Sequence, residues 1–440
     1  MTKETNVNQL IDHLFRHESG RMVAVLTRLF SSANLELAED VVQDSLVEAL
    51  KQWTYNGIPD NPSGWLFRVA KNKALNIINN EKYKIQYLSD VLHQHQSEWT
   101  AEPAMSCLFS EIEILDDQLR MMFTCCHPAI SSDSQVALIL KTLCGFSIPE
   151  ISKAFLTSDE NINKRLVRAR QKIRESKILF EVPRGNALKG RLQTVLGTIY
   201  LLFNEGYSAS GGRDLIRYEV CEEAIRLTEM LVNHAAIKDK ADVYALLALM
   251  QLNGARFNAR LDADGSLLTL EQQNRALWDF RLMKEGFMNL EKAVSGKEFS
   301  IYHILALISS CHCSAADYNS TEWKTILSLY DKLAEIDHSP IVLLNRAVAL
   351  AKVAGTESAL AELENLASIR ALKTYHLFYS IRAEFYMELH QFREAAILLQ
   401  KAIYLAPLIV EKEFLQKKLV RCKKKLNHVP FIEMCLSQEY

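Results

Sequence analysis

The chain has 440 residues, of which 49% are hydrophobic and 24% are charged, and its formal net charge at pH 7 is −2. That length exceeds one ordinary hydrophobic core and predicts two to four domains of a folded, soluble protein. No apolar run approaches the ~18 residues that span a bilayer, which argues against an integral membrane protein.

Helix-breaking residues are scarce, with 15 Gly and 9 Pro in 440 residues, so the composition favours an all-α chain. Residues 1–15 lack the basic-then-apolar pattern of a signal peptide. Nine cysteines without a regular framework fit reduced thiols in a reducing compartment. The sequence therefore predicts a cytoplasmic protein.

Residues 6–55 are predicted to form two or three amphipathic helices, the last within "LELAEDVVQDSLVEALKQW". The residues expected on its apolar face are Leu37, Val41, Val42, Ser45, Leu46, Ala49 and Trp53. The carboxylates expected on the opposite face are Glu36, Glu39, Asp40, Asp44 and Glu48. "YNGIPDNP" breaks this helix, and Ser63 is the predicted N-cap of the next one.

A segment without clear periodicity, residues 86–115, is predicted to be a linker. Four short helices are expected between Asp116 and Leu179, and "VPRGN" at 182–186 is a second break. Long helical patterns then continue to the end of the chain.

The fourth of these short helices is strongly basic. Ser158 is its predicted N-cap, and one buried stripe is expected at Ile162, Leu166, Ala169 and Ile173. Residues 141–180 contain nine Lys or Arg against four Asp or Glu, a difference of +5 in a nearly neutral chain. A short helix, a turn and a basic helix form a helix-turn-helix pattern, in which the second helix reads a DNA groove.

The C-terminal part contains paired-helix repeats. Residues 376–407 carry small residues at expected helix crossings, and residues 339–367 look like a divergent copy. The unit resembles the tetratricopeptide repeat, whose helices bury their apolar faces by stacking. The small residues are Ala383, Ala395 and Ala402.

Two motifs together resemble a known family. "LCGFSIPEISKAFLTSDENINKRLVRARQKIR" is similar to the DNA-binding region of bacterial sigma factors of the extracytoplasmic-function type. "LELAEDVVQDSLVEALKQW" followed by "NPSGWLFRVAKNKALN" is similar to the other hallmark region of that family. The resemblance covers about residues 8–180. The remainder, with "VLGTIYLLFNEGYSASGG" and "QNRALWDFRLMKEG", resembles the extension of one sigma-factor subgroup.

The resemblance implies an all-α fold made of two small helical sigma modules and a tetratricopeptide-like repeat domain. Residues 6–85 would bind polymerase and melt the promoter, 86–115 would be the linker, and 116–180 would be the helix-turn-helix module. Residues 187–440 would form the helical extension.

The resemblance also implies roles for individual residues. Candidate polymerase contacts are Glu39, Asp40, Gln43 and Asp44. Candidate DNA contacts in the promoter-melting helix are Arg68, Lys71, Asn72 and Lys73.

This chain departs from the family after the promoter-melting helix. The family typically has an Asp and two arginines there, where this chain has Asn76, Asn79 and Asn80. Lys82 and Lys84 are candidates for taking over the attraction to phosphates. Weaker or altered melting is therefore expected.

For the upstream promoter element, candidate base-reading residues are Ser158, Asn161, Asn163, Lys164 and Arg165. Amides suit adenine edges, and Arg or Lys suits guanine. Arg168 and Lys172 lie further along and are expected to contact phosphates, whereas Arg170 and Arg174 are candidates for pairing with local acids.

No metal or cofactor site is expected. "CCHP" at 125–128 lacks the Cys-x-x-Cys spacing of common zinc sites and is interpreted as buried thiols. No nucleophile–base–orienter set is visible, so the chain is not expected to be an enzyme.

The sequence thus predicts a sigma factor whose partners are core RNA polymerase and promoter DNA, without a membrane partner. A signalling protein or peptide is a candidate partner of the C-terminal repeats. Two alternatives stay open: a tetratricopeptide-type scaffold with a relict DNA-binding head, and an enzyme in the C-terminal domain that uses the loop at 204–214.

Overall fold

The structure, a computed structural model, describes residues 18–79, 110–155, 157–208, 216–295 and 299–428. Within these ranges the regular structure is helical, apart from an isolated antiparallel bridge between Leu261 and Leu267. The all-α prediction is therefore confirmed. No helix in these ranges combines the length and the hydropathy that crossing a bilayer requires.

The chain divides into two compact units. The N-terminal unit consists of Met1–Asn204 and Glu222–Lys238, and the C-terminal unit consists of Glu205–Cys221 and Asp239–Tyr440. The predicted start of the extension at residue 187 therefore does not coincide with the division between the units. The first part of the extension belongs to the same compact unit as the two sigma-like modules.

The N-terminal unit begins with helix α1, described over residues 18–30, then α2 (Leu35–Asn56) and α3 (Pro62–Asn79). Every residue of the predicted apolar face of α2 is buried except Leu37, which is half-buried. Trp53 of α2 packs edge-on against Trp65 of α3, with 5.3 Å between the ring centroids.

The start of α3 differs from the prediction. Asn61, and not Ser63, caps the helix, because the Asn61 side-chain oxygen accepts a hydrogen bond from the backbone N–H of Gly64 at 2.8 Å. Pro62 occupies the first helical position, where its missing N–H would have had no helical partner. Ser63 lies within the helix, too late to cap it.

The four predicted short helices are present. They are α4 (Glu111–Cys125), α5 (Ser132–Thr142), α6 (Ile148–Ala154) and α7 (Asp159–Glu175).

The thiols that the sequence predicts to be buried are buried among the described residues, at Cys125, Cys126 and Cys144. Burial raises the pKa of the Cys126 thiol to about 12.

The helix-turn-helix α6–α7 is fixed locally by a capping box. The Ser147 side chain accepts from the backbone N–H of Glu150 at 3.3 Å, and the Glu150 carboxylate accepts from the backbone N–H of Ser147 at 2.8 Å. Pro149 stands in the first turn. These interactions satisfy donors that the first turn of a helix leaves open.

The two sigma-like modules pack directly on each other. A Cβ added at Gly20 of α1 would lie 2.2 Å from the carbonyl oxygen of Leu143, so only glycine permits this approach. The Ser32 hydroxyl donates to the carbonyl of Ile178 at 2.6 Å, and Arg28 forms an ion pair with Glu113 of α4.

Helices α8 (Asn186–Tyr207) and α9 (Tyr218–Asn233) follow. The part of α8 in the N-terminal unit contacts α5, because the Thr198 hydroxyl donates to the Gln135 side chain at 2.9 Å. Beyond α9, His234 lies 2.7 Å from Asp116 of α4.

The C-terminal unit continues with nine further described helices. Consecutive helices pack on each other, and Ala383, Ala395 and Ala402 are fully buried at the predicted crossings. The helices are α10 (Ala241–Gly254), α11 (Phe280–Val294), α12 (Ile301–Ser314), α13 (Trp323–Ile336), α14 (Pro340–Ala354), α15 (Thr356–Leu366), α16 (His376–Glu388), α17 (Phe392–Leu405) and α18 (Ile409–His428).

Candidate functional site

The basic helix α7 buries the stripe that the sequence predicts. Ile162, Leu166, Ala169 and Ile173 are each at most 1% exposed. Helix α7 packs against α5 and α6 and against the short 3-10 helix Ser32–Asn34. This leaves two polar faces of α7, one on each side of the buried stripe.

The first polar face carries four exposed side chains at spacings of three, four and four residues, which place them along one side of a helix. We call this set the α7 outer stripe: Asn161, Lys164, Arg168 and Lys172. Lys164 pairs with Glu160 of its own helix at 2.7 Å, and both side chains are largely exposed. Arg168 and Lys172 have no ion-pair partner in the described ranges.

The second polar face points elsewhere. Arg170 forms ion pairs with Glu39 and Glu36 of α2, and Arg174 lies 3.6 Å from Glu36. The sequence predicts pairing with local acids, and the structure differs: both arginines pair with carboxylates of α2, which is distant in the sequence. The helical repeat places Asn163 on this second face, so it is exposed but does not belong to the outer stripe.

Two predicted base-reading residues have structural partners. The half-buried Arg165 lies 3.4 Å from Asp133 of α5. The exposed Ser158 accepts a hydrogen bond from the backbone N–H of Asn161 at 3.2 Å, which confirms it as the N-cap of α7. The structure thus brings together Asn161, Lys164, Arg168 and Lys172, with Arg165 half-buried beside them.

The capping role of Ser158 gives a direct stability prediction. Ser158→Ala is expected to destabilise the protein by about 1 kcal/mol, because one donor of the first turn loses its acceptor. Ser158→Asp is the control, since its carboxylate retains an acceptor and favours the helix N-terminus. Urea unfolding of the full chain measures both, and an unchanged midpoint for the alanine variant would contradict the capping role.

Helix α2 presents a second exposed stripe. Asp40, Gln43 and Asp44 are exposed on one face, together with Val47 and Leu50, which are 47% and 37% exposed. We call these five residues the α2 outer stripe. Three of the four predicted polymerase-contacting residues therefore lie together, beside two apolar side chains that face solvent.

The fourth predicted polymerase contact, Glu39, is not exposed, and this corrects the prediction that it lies on the exposed polar face of α2. It is buried and forms an ion pair with Arg170 of α7, so it joins the two sigma-like modules. Burial raises the pKa of Glu39, and the Arg170 guanidinium opposes that rise. The helical repeat of α2 predicts only that Glu39 lies at the edge of the polar face. In the folded chain, α7 of the neighbouring module covers this edge.

The candidate DNA contacts on the predicted promoter-melting helix α3 also differ from one another in exposure. Arg68 and Asn72 are exposed, and Lys71 is half-buried on the same side. Lys73 lies ~140° around the helix from Arg68, next to the buried residues Leu66 and Ala74. Asn76 is exposed, whereas the predictions for Asn80, Lys82 and Lys84 lie outside the described residues.

Sequence reasoning missed one polar cluster at the contact between α1 and α4. Asp117 is fully buried and lies 3.2 Å from Arg28, and Arg120 also pairs with it. Burial raises the pKa of Asp117 to about 7, against the effect of the two arginines. The sequence signal that could have found this cluster is a carboxylate two residues before the apolar Leu119, in the first of the predicted short helices.

Groups of three or more potential metal ligands are not found in the described ranges. The candidate site is formed by the basic α7 outer stripe and the acidic, partly apolar α2 outer stripe. Such surfaces bind and orient partners by charge and shape.

Comparisons with known proteins find three family models that match successive parts of the chain. The family model for sigma-70 region 2 matches residues 14–82, and that for sigma-70 region 4 matches residues 120–173. A family of unknown function, DUF6596, matches residues 191–294.

A similar curated protein is an uncharacterized protein of Rhizobium meliloti (strain 1021). It is 33% identical over 391 residues, which cover 88% of this chain and 90% of the relative. No solved structure matches the chain.

Proposed function

The chain belongs to the sigma-70 family, as an extracytoplasmic-function-like sigma factor with a C-terminal extension, and from this membership we propose that it recruits core RNA polymerase to particular promoters and helps to open them. Its sigma-70 regions imply core polymerase and promoter DNA as partners. Families of this kind are not enzymes, because their members bind the polymerase and position it on the promoter.

One observation supports the proposal most directly. The N-terminal unit exposes a basic and amide-bearing stripe on α7 and an acidic, partly apolar stripe on α2. Promoter DNA needs the first kind of surface, because cationic side chains release counterions from phosphates. A protein partner suits the second, since exposed apolar residues beside carboxylates gain by burial while the charges orient the encounter.

We assign the roles on α7 by position along the helix. Asn161 and Lys164, near the N-terminus, would reach base edges, where an amide suits adenine and an amine suits guanine. Arg168 and Lys172 would hold phosphates, which position the helix without reading sequence. Asn163 and Arg165 remain candidates from the sequence, with Arg165 needing to leave Asp133 to contact DNA.

On α3, Arg68, Lys71 and Asn72 are the proposed contacts to the melted promoter. Asn76 is exposed where the family typically carries charge. The proposed melting surface therefore has a weaker attraction for phosphates than its relatives would have, and opening would depend more on temperature and supercoiling.

We propose a regulatory role for the C-terminal extension, with a signalling protein or peptide as the partner of its stacked helices. Helix pairs of this kind present extended surfaces for peptides. The alternative is a scaffold with a relict DNA-binding head, which the amide at Asn76 favours. It would bind proteins without supporting initiation.

Reconstituted transcription tests the proposal. Purified chain and core polymerase are incubated with genomic fragments, and start sites are mapped on the transcripts. Two reversal variants separate the surfaces: Asp40→Lys with Asp44→Lys on α2, and Arg168→Glu with Lys172→Glu on α7. We expect each pair to lower specific transcription at least ~10-fold, since several charge contacts reverse sign.

Co-elution with core polymerase and binding to promoter fragments distinguish the two pairs of substitutions. The α2 pair is expected to weaken co-elution with core polymerase, whereas the α7 pair retains it and loses binding to promoter fragments. Lys324→Glu with Lys332→Glu on α13 is the charge-matched control and should transcribe normally. Normal co-elution without any specific transcript would favour the scaffold alternative.

A further inference from the structure

Three half-buried arginine side chains converge in the C-terminal unit. Arg256 and Arg260 follow α10, and Arg275 opens the short 3-10 helix Arg275–Leu277. The Arg256 guanidinium donates to the Tyr207 hydroxyl at 2.8 Å and to the Asn253 side-chain oxygen at 2.7 Å. Its partners are therefore neutral.

Arg260 holds the same tyrosine from another side. It donates to the backbone carbonyl of Tyr207, and its guanidinium lies 4.0 Å from the centroid of the Tyr207 ring. Arg256 and Arg260 are thus brought close together by one shared neutral partner. Burial lowers the pKa of Arg260, with a further contribution from the Arg256 charge.

Arg275 completes the cluster. It donates to the backbone carbonyls of His312 and Ala315 at 2.8 and 2.7 Å, and it stacks over the Trp278 ring with 4.5 Å to the centroid. Burial lowers its pKa as well, although Asp317 opposes this at longer range. The contacts orient the guanidinium without neutralising its charge.

No carboxylate of the described residues lies within 4.0 Å of any of the three guanidiniums. Two other arginines of the same unit, Arg217 and Arg346, do have carboxylate partners. Arg346, for example, pairs with Asp331 at 2.7 Å and with Glu362 at 2.6 Å. Placing several like charges together in partly buried positions has a cost that an accompanying opposite charge offsets.

The cluster also contains buried N–H donors without acceptors. Among the residues that the structure describes, none is a hydrogen-bond partner of Arg256 Nε, Arg275 Nη2 or Trp278 Nε1, and the same holds for His312 Nδ1. Burial, and then the charges of Arg256 and Arg275, lowers the pKa of His312 to about 4, so its ring is neutral near pH 7. Gln273 contributes one unpartnered oxygen nearby in sequence.

We propose that this cluster binds an oxyanion, the phosphate or carboxylate group of a small-molecule ligand. An oxyanion would accept hydrogen bonds from the unpartnered donors of Arg256, Arg275 and Trp278. It would also supply a negative charge, which no carboxylate of the described residues provides within 4.0 Å, and guanidinium forks match the geometry of both groups. Nothing in the proposed sigma activity uses these residues, so the site adds a ligand-binding function to the extension.

Thermal unfolding of the full chain tests this directly. The probes are sodium phosphate and sodium succinate, each compared with sodium chloride at the same ionic strength and pH 7.5. We expect at least one oxyanion to raise the Tm by ~3 °C or more at tenfold excess over its Kd, because it binds the folded state alone. The arm that responds identifies the group that the site prefers.

Two variants and a control locate the effect. Arg256→Gln and Arg275→Gln are expected to lose most of the oxyanion-dependent shift. Arg346→Gln removes a guanidinium that already has carboxylate partners and should keep the full shift. Calorimetric titration of the unmutated chain with each probe supplies the answer if a variant fails to fold.

The proposal is overturned if both oxyanions stabilise the chain no more than chloride does, or if Arg256→Gln and Arg275→Gln retain the full shift. Neither result depends on polymerase or DNA. The outcome is therefore separable from a failure of the proposed transcriptional function.

Discussion

Truncation after Phe180 is expected to unfold the sigma-like modules, whereas truncation after Lys238 preserves them. The reason is that the N-terminal unit includes residues 186–204 and 222–238 of the extension. Their fully or almost fully buried apolar residues include Val195, Leu196, Ile199, Leu202, Phe203, Ala224, Leu227 and Leu231.

The shorter truncation would also remove specific hydrogen bonds. The chain would lose the hydrogen bond that the Thr198 hydroxyl donates to the Gln135 side chain and the one that Arg191 donates to the Phe123 carbonyl. It would also lose the hydrogen bond between His234 and Asp116. The remaining helices would also expose to water the apolar surface that these residues cover, which costs about 25 cal/mol per Å². Because an ordinary domain is stable by only ~5–15 kcal/mol, we expect the loss of this cover to unfold the modules.

Far-UV circular dichroism and urea unfolding measure this on chains ending at residues 180 and 238. We expect a cooperative transition for the longer chain and none, or one at much lower urea, for the shorter chain. The longer chain also lacks the C-terminal repeats, so it controls for their removal alone. Equal midpoints for the two chains would refute the structural role assigned to residues 186–204 and 222–238.

The result matters for regulation experiments. A chain cut after Phe180 that fails to transcribe would report failed folding, and not the absence of activation by the tail. The regulatory proposal for the repeats is therefore tested with a cut after Lys238, where the sigma-like modules retain their buried neighbours.

The second large effect is expected at the contact between α2 and α7. Arg170→Met leaves the buried Glu39 carboxylate without its main counter-charge, and removal of one partner of a buried pair costs about 3–5 kcal/mol. Arg174→Met is the matched control. Arg174 and Glu36 are both about half exposed, so this variant should change stability by about 1 kcal/mol or less.

The destabilisation should depend on pH in a defined direction. The pKa of Glu39 is already raised in the folded chain, and removing Arg170 raises it further. A raised folded pKa favours the folded state below the ordinary pKa of 4.5, and that benefit is lost as the pH rises through the raised value. The variant should therefore be closest to the unmutated chain in acid and furthest from it at pH 8.

A double variant checks the cause. Arg170→Met with Glu39→Leu removes both charges, and we expect it to recover most of the stability lost by the single change. Urea unfolding at pH 5.5 and pH 8 is measured for the unmutated chain, for each single variant (Arg170→Met and Glu39→Leu) and for the double variant. These measurements supply the four free energies of unfolding of the cycle at each pH. A single variant with unchanged stability at pH 8 would show that the pair does not join the modules.

The ion pair also bears on how the sigma surfaces are presented. Arg170 and Arg174 occupy the α2-facing side of α7, which leaves the α7 outer stripe exposed for DNA. The α2 outer stripe is exposed at the same time. Opening this contact is therefore not required before either stripe becomes accessible to solvent.

Local sequence is sufficient for the helical class, the order of the two sigma-like modules and the structure of α7. The buried stripe at Ile162, Leu166, Ala169 and Ile173 and the cap at Ser158 agree with the sequence-based prediction in full. Both depend on residues within a few turns of one helix, and periodicity and capping are properties of neighbours in the chain.

Long-range packing, in contrast, determines which polar residues stay exposed. Glu39 meets Arg170, which is 131 residues away in the sequence, and Thr198 meets Gln135 across 63 residues. The convergence of Arg256 and Arg275 is likewise absent from any local pattern. Burial of a polar side chain depends on what a distant segment places over it, and a helical repeat holds no information about that segment.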